Sequence, residues 1–286
     1  MSIGLNEYTF QLDSSGVTLN TDSILPYVDI DKVRGLDSAP YRETIRDHEG
    51  TDGGFIDAEF EKGRDVILSG TIYADTSSVE TYLDELKANY APVQTPIPFY
   101  LKAPGVDERV IFVKPLGIRY DWDVARRIGI TDAQFLMYAE DPRIYDSTLI
   151  TTSVGYGGTA GLGFAFPFGF NLNFGGGAVP SGTTVFNAGN RPTPVTFVIT
   201  GPIVSPVITN SATGDVMAFS LSLSAVETLT INTRDRTVYL NGNINRRNTM
   251  TSAGWFFLEP GNNFIGFGGL SGTGSSLSIQ FRSAWR

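Results

Sequence analysis

The stretch AEDPRIYDS, Ala139 to Ser147, divides the chain into two unlike halves. Before it runs an alternating apolar segment, IGITDAQFLMYA, and after it no charged residue occurs until Arg191. Its compact set of ionisable groups poses a choice between a catalytic site and the end of a domain. Proline cannot continue a central ladder, so Pro142 is expected to stop the strand that ends at Ala139. Asp141 and Arg143 are near enough in sequence to pair, or to reach a neighbouring chain, and Ile144 and Tyr145 are placed to anchor the chain as it leaves. Asp141, Pro142, Arg143 and Tyr145 are therefore read as junction residues closing a domain.

Charge follows the same division. Met1–Asp146 carries 26 acids against 14 bases, net −12, and Ser147–Arg286 carries 4 against 7, net +3, which together give the chain's −9. At 286 residues there is room for two domains, each with its own core. The chain is 41% hydrophobic and 18% charged with 32 glycines, a balance that favours strands and turns over helices. An acidic first half is a poor grip for nucleic acid, since phosphates would be repelled. The absence of cysteine excludes disulfides, Cys-ligated metals and thiol nucleophiles. MSIGLNEYTFQLD lacks the basic and apolar regions of a signal peptide, and polar residues interrupt the uncharged run after Asp146 too often for a bilayer core. A soluble protein without membrane insertion is expected.

One segment has helical periodicity. In TSSVETYLDELKANYAP, Val79, Tyr82, Leu83, Leu86 and Tyr90 fall on one face of a 3.6-residue repeat, Ser77 and Glu80 have capping-box spacing, and Pro92 closes the run. Strands are expected around it at 65–74, 97–103, 109–122 and 128–139. Many strands and one helix over residues 1–146 read as an α+β domain, a strand-rich sandwich or barrel with the helix on its side. Before these strands, YRETIRDHEGTDGGFIDAEFEKGRD (41–65) is charged and Gly-punctuated, and reads as a projecting hairpin or arm. His48, Glu49 and Asp52 in it are candidates for contact with another copy, with a plain surface loop as the other reading.

Residues 147–182 read as a Gly- and Phe-rich linker. Phe164, Phe166, Phe168, Phe170, Leu172 and Phe174 alternate with small or polar residues, which puts the large groups on one face of an extended segment. From 183 to 286, short strands recur at 8 to 12 residue spacing, the mark of a jelly-roll-like β-sandwich. RDRTVYLNG ends there in Asn241-Gly242, a hairpin turn signal. The fold class is thus mainly β, an α+β domain followed by a sandwich.

The search for chemistry excludes more than it finds. His48 is the sole histidine and sits in the charged arm, so neither a Ser–His nucleophile nor a zinc site can be built around it. Asp29 with Asp31, and Asp121 with Asp123, are carboxylate pairs outside any calcium-loop pattern. GYGGTA (155–160) has dinucleotide-site spacing but no helix after it. Trp255 and Trp285 are stacking candidates for a sugar. No catalytic set, metal or cofactor is expected. The readings left open are a structural adaptor, a cell-surface lectin using Trp255 or Trp285, and a cell-wall glycosidase using acids of the first half.

HEGTDGG, DVILSGTIYA, VETYLDELKANY and FLMYAEDPRIYD in the first half, with NAGNRPTPVTFVITGPIVSPVITNSATG, LTINTRDRTVYLNG and GWFFLEPGNNFIGF in the second, resemble the distal tail proteins of siphovirus-type bacteriophages. The resemblance covers nearly the whole chain. It implies a virion protein of the tail tip, made in the host cytoplasm. Its first domains would form a ring, commonly a hexamer, joining the tail tube protein to the tail-tip or baseplate hub. The ring would leave a channel through which DNA passes without specific binding. It further implies an outer domain, often galectin-like or carbohydrate-module-like, that carries or assists receptor-binding components in host attachment. The sugar-contact signature of galectins has no counterpart here, so sugar binding is not implied.

Overall fold

A computed structural model describes residues 8–13, 16–21, 24–48, 50–52, 54–122, 124–156 and 181–286, with 43–47 and 55–59 described by backbone only. The chain divides into two compact units, Met1–Ser147 with Trp285–Arg286, and Thr148–Ala284. Glu49, Asp123 and the Phe alternation at 164–174 lie outside the described residues.

The first unit contains β1 (Phe10–Leu12), β2 (Thr18–Leu19), β3 (Tyr27–Arg34), β4 (Tyr41–Asp47), β5 (Gly54–Glu61), β6 (Arg64–Tyr73), α1 (Val79–Asn89), β7 (Ile97–Leu101), β8 (Arg109–Tyr120), β9 (Ile130–Ala139) and β10 (Ile144–Asp146). Its main sheet has the order β2-β1-β7-β8-β9-β6-β3, with β10 added on β8. β8 serves two partners in turn: Arg109–Val113 pairs with β7 and Lys114–Tyr120 with β9. The change falls between Val113 and Lys114, just ahead of a register shift between Pro115 and Gly117. Pro115 has no N–H to donate, and Gly117 takes φ +119°, which a side chain would resist.

The period-2 pattern of β6 buries Val66, Leu68 and Ile72, and that of β9 buries Ala133, Phe135 and Met137. The predicted helical stripe faces the same core: Val79, Tyr82, Leu83 and Leu86 are buried, and the Tyr90 and Phe135 rings meet at 4.8 Å. Truncating a fully buried leucine such as Leu83 would cost roughly 2–5 kcal/mol. The start of α1 differs from expectation. Ser78, not Ser77, is the N-cap residue and makes no side-chain cap bond, its hydroxyl donating instead to the Asp75 carbonyl. Glu80 is drawn away from the helix end by Arg126, a stronger charged donor than a backbone N–H.

The second unit contains β11 (Ile150–Gly155), β12 (Ser181–Asn187), β13 (Val195–Thr200), β14 (Ile203–Val204), β15 (Val207–Asn210), β16 (Val216–Phe219), β17 (Ser222–Leu223), β18 (Thr228–Asn232), β19 (Thr237–Leu240), β20 (Ile244–Asn245), β21 (Met250–Ala253), β22 (Gly261–Gly268) and β23 (Ser276–Phe281). Two antiparallel sheets, β11-β23-β13-β18-β19-β20 and β12-β22-β15-β16-β21, form a sandwich. Phe197, Ile199, Ile231, Phe256, Phe267 and Ile279 fill its core. Asn241 and Gly242 both adopt positive φ, at 49° and 78°, as the turn between β19 and β20 requires.

Two boundaries depart from the sequence reading. Residues 150–155, expected within a linker, form β11 along the whole length of β23. Trp285, in the short strand β24 (Ala284–Trp285) that pairs with β10, and Arg286 belong to the first unit rather than to the sandwich. Neither strand announces its partner, because each partner lies more than a hundred residues away.

Candidate assembly surfaces

The junction residues converge in a buried polar knot. After β9 ends at Ala139, the Asp141 carboxylate turns inward and is 4% exposed. It accepts from the Tyr145 hydroxyl at 2.5 Å, from the Arg143 backbone N–H at 3.1 Å and from Arg143 Nη1 at 3.0 Å. Arg64, first residue of β6 and opposite Ala139 in the ladder, is 2% exposed. Its guanidinium donates to the carbonyls of Gly35 at 3.3 Å and Asp37 at 2.7 Å, and to that of Pro142. One cation thus ties the end of β3 to the turn after β9. The Asp141 carboxylate bonds to three groups of the segment that follows it.

The C-terminal residues finish this region. β10 pairs Tyr145 with Val110 and Asp146 with Arg109. The Arg109 guanidinium lies 3.3 Å from the centre of the Trp285 ring. Burial pulls Arg109 below its ordinary pKa, while Asp146 and Asp107 act in the opposite sense. Arg286 Nε is 3.4 Å from the Glu61 carboxylate, whose side chain is 8% exposed. Trp285, a sequence candidate for sugar stacking, therefore offers a face already covered by Arg109. Trp255 is half-buried against the second core with Arg247 6.0 Å above its ring.

β4 and β5 form a two-stranded ribbon that pairs with no other strand among the described residues. Such a ribbon is marginal in water unless something packs on it. His48 and Asp52, near its tip, are exposed. At its base Arg42 and Phe60 are direct cross-strand partners, with the guanidinium 5.6 Å over a ring that is 59% exposed.

Sequence reasoning missed a further surface. Between β8 and β9 a 3-10 turn, Ala125–Ile128, presents Trp122, Val124 and Ile128 to solvent. The sequence reading ends one strand at Trp122 and starts the next at Ile128, and the one signal between and around them is three large apolar residues among charges. Beside this loop, on the outer face of β3, β6, β8 and β9, lies an open cleft of about 380 Å³ lined by Asp31, Ser69, Arg119, Asp121, Asp132 and Gln134. The Thr71 hydroxyl donates to Asp132 there at 2.8 Å. A second, largely apolar cleft of about 470 Å³ in the sandwich is bordered by Val207, Phe219 and Leu270. Among the described residues there is no cluster of three potential metal ligands, and no helix is long and apolar enough to cross a membrane.

Residues 188–285 match the family model described as siphovirus-type tail component, C-terminal domain. Comparison with curated protein sequences gives no match. Among solved structures the fold resembles the SPP1 Dit protein, described as a paradigm of the hub adsorption apparatus in phages that infect Gram-positive hosts. The TM-score is 0.65 at 15% identity, over 96% of this chain and 98% of that one. It also resembles a chain of the phage P2 baseplate in its activated conformation with Ca, at TM-score 0.53 and 10% identity, over 95% of this chain and 97% of that one. The same baseplate with Sr gives TM-score 0.50 at 11% identity, over 96% and 98%.

Proposed function

We propose that this chain is a structural component of the distal end of a siphovirus-type phage tail. In this reading copies of the first unit close into a ring, of six members, between the tail tube and the hub of the tip or baseplate. The sandwich serves as a platform for components that attach to the host. The observation that carries the proposal is the family match over 188–285 together with a fold likeness to SPP1 Dit that spans both chains almost completely.

The physical features are consistent with it. The first unit holds 26 acids against 15 bases, net −11, a surface that lets DNA pass without gripping it. The ribbon β4–β5, which pairs with no other strand among the described residues, supplies an element suited to a neighbouring copy. The junction carboxylate is committed to structural bonds, which favours architecture over hydrolysis.

Light scattering across a hundredfold concentration range, followed by negative-stain imaging, tests this reading. Closed rings of six copies are expected. A chain that stays monomeric throughout, with no rings in the images, refutes the ring, and rings of another symmetry correct the number.

A further inference from the structure

We propose that Trp122 and the Val124–Ile128 turn, with the acidic cleft beside them, are the surface on which a second copy of this chain seats the base of its ribbon at Arg42 and Phe60. The inference rests on the reading of the protein as a self-assembling tail component, and it names the two surfaces that meet.

The loop is an exposed apolar patch held in a fixed shape. Trp122, Val124 and Ile128 are 79%, 76% and 67% exposed within seven residues, well beyond what scattered surface apolar residues require. Yet the turn is ordered by Arg127 N–H to the Val124 carbonyl at 3.1 Å and Gly129 N–H to the Arg126 carbonyl at 3.1 Å. Gly129 sits at φ +83°, and a Cβ there would fall 1.9 Å from the Ala74 carbonyl oxygen, so the loop is pressed against the end of β6. The Arg126 side chain is buried beneath Trp122, 3.8 Å from its ring centre, and its Nε donates to Glu80 at 2.9 Å. One face of the indole is thereby fixed and the other left open. A tryptophan ordered before contact loses little entropy on binding, as central interface anchors do.

The occupant is indicated by charge and by what else the first unit exposes. The cleft reaches the loop through Asp121, the neighbour of Trp122, and sets three carboxylates, Asp31, Asp121 and Asp132, against the single guanidinium of Arg119. A partner that fits must bring an apolar ring and a cation together. The base of the ribbon does so: Phe60 is exposed beneath Arg42, Lys62 follows, and the intervening Glu61 is engaged by Arg286. Arg42 against the cleft and Phe60 against Trp122 match sign to sign and ring to ring. Because the two surfaces differ, the contact is heterologous and repeats from copy to copy, the kind of interface that a ring needs.

The chain has no cysteine, so introduced thiols report only the designed contact. Tyr41→Cys, next to Arg42, and Arg127→Cys, in the turn, replace exposed side chains that the proposed contact does not use, in separate full-length proteins. With a short bismaleimide, an equimolar mixture is expected to give at least tenfold more covalent dimer than either protein alone. A mixture that cross-links no better than its components overturns the proposal. In parallel, Trp122→Ala, checked for unchanged circular dichroism, is expected to weaken assembly tenfold or more. If Trp122→Ala forms rings like the parent, the loop serves another partner and this inference falls while the ring reading stands. If the parent itself never assembles, both fall.

Discussion

Replacing Arg64 by methionine tests whether the buried guanidinium holds the first unit together. The substitution keeps most of the apolar stem, ends about where Nε stands, and removes all the donors. The carbonyls of Gly35, Asp37 and Pro142 each lose a charged donor, the Pro142 bond being buried and the other two part-buried. Hydrogen bonds to charged groups are worth about 1.5–3 kcal/mol each. They do not add fully, and methionine also relieves the cost of burying a charge, so the expected net loss is about 3 kcal/mol. At a urea dependence of about 2 kcal/mol/M, the midpoint should fall by about 1.5 M. Trp122 and Trp285 lie in the first unit and Trp255 in the second. Urea unfolding followed by tryptophan fluorescence in a Trp255→Phe background therefore reports the first unit. Arg64→Lys should fall between the two, since a single ammonium cannot fork across three carbonyls. A midpoint for Arg64→Met within about 0.3 M of the parent would show that the knot is incidental to stability.

Trp285→Ala should lower the stability of the first unit by about 1–2 kcal/mol through loss of the ring against Arg109, leaving the sandwich transition in place, and two-probe thermal melts would separate these. Tyr90→Phe should be neutral or stabilising at pH 7, by up to about 1 kcal/mol in calorimetry, because the buried Tyr90 hydroxyl has no hydrogen-bond partner among the described residues. Burial raises the pKa of both Tyr90 and Tyr82, that of Tyr82 to about 12 with Glu85 adding to the effect. Each phenol binds its proton more tightly in the folded state, so its contribution is complete below about pH 10 and lost as pH rises above it, by about 1.4 kcal/mol per phenol per pH unit. Alkaline unfolding should accordingly begin above pH 10 and be less steep in Tyr90→Phe, as denaturation midpoints between pH 9 and 12 would register.

What was legible in the sequence was what is local. The stripe Val79, Tyr82, Leu83, Leu86 placed α1 because helical neighbours recur within four residues, and the alternations in β6 and β9 placed strands because a pleat repeats every two. Asp141 and Arg143, two residues apart, could be paired by inspection, and Asn241-Gly242 could be read as a turn for the same reason. Tertiary structure alone decided where distant segments close on one another. It sent Glu80 to Arg126 instead of to the helix cap, carried residues 150–155 onto β23, placed Arg64 under Pro142, and returned Trp285 to Arg109. A cation's choice among buried acceptors and a strand's choice of edge depend on which groups folding leaves without water or partners. No window of neighbouring residues contains that information, because the competing groups are brought together only when both sheets have formed.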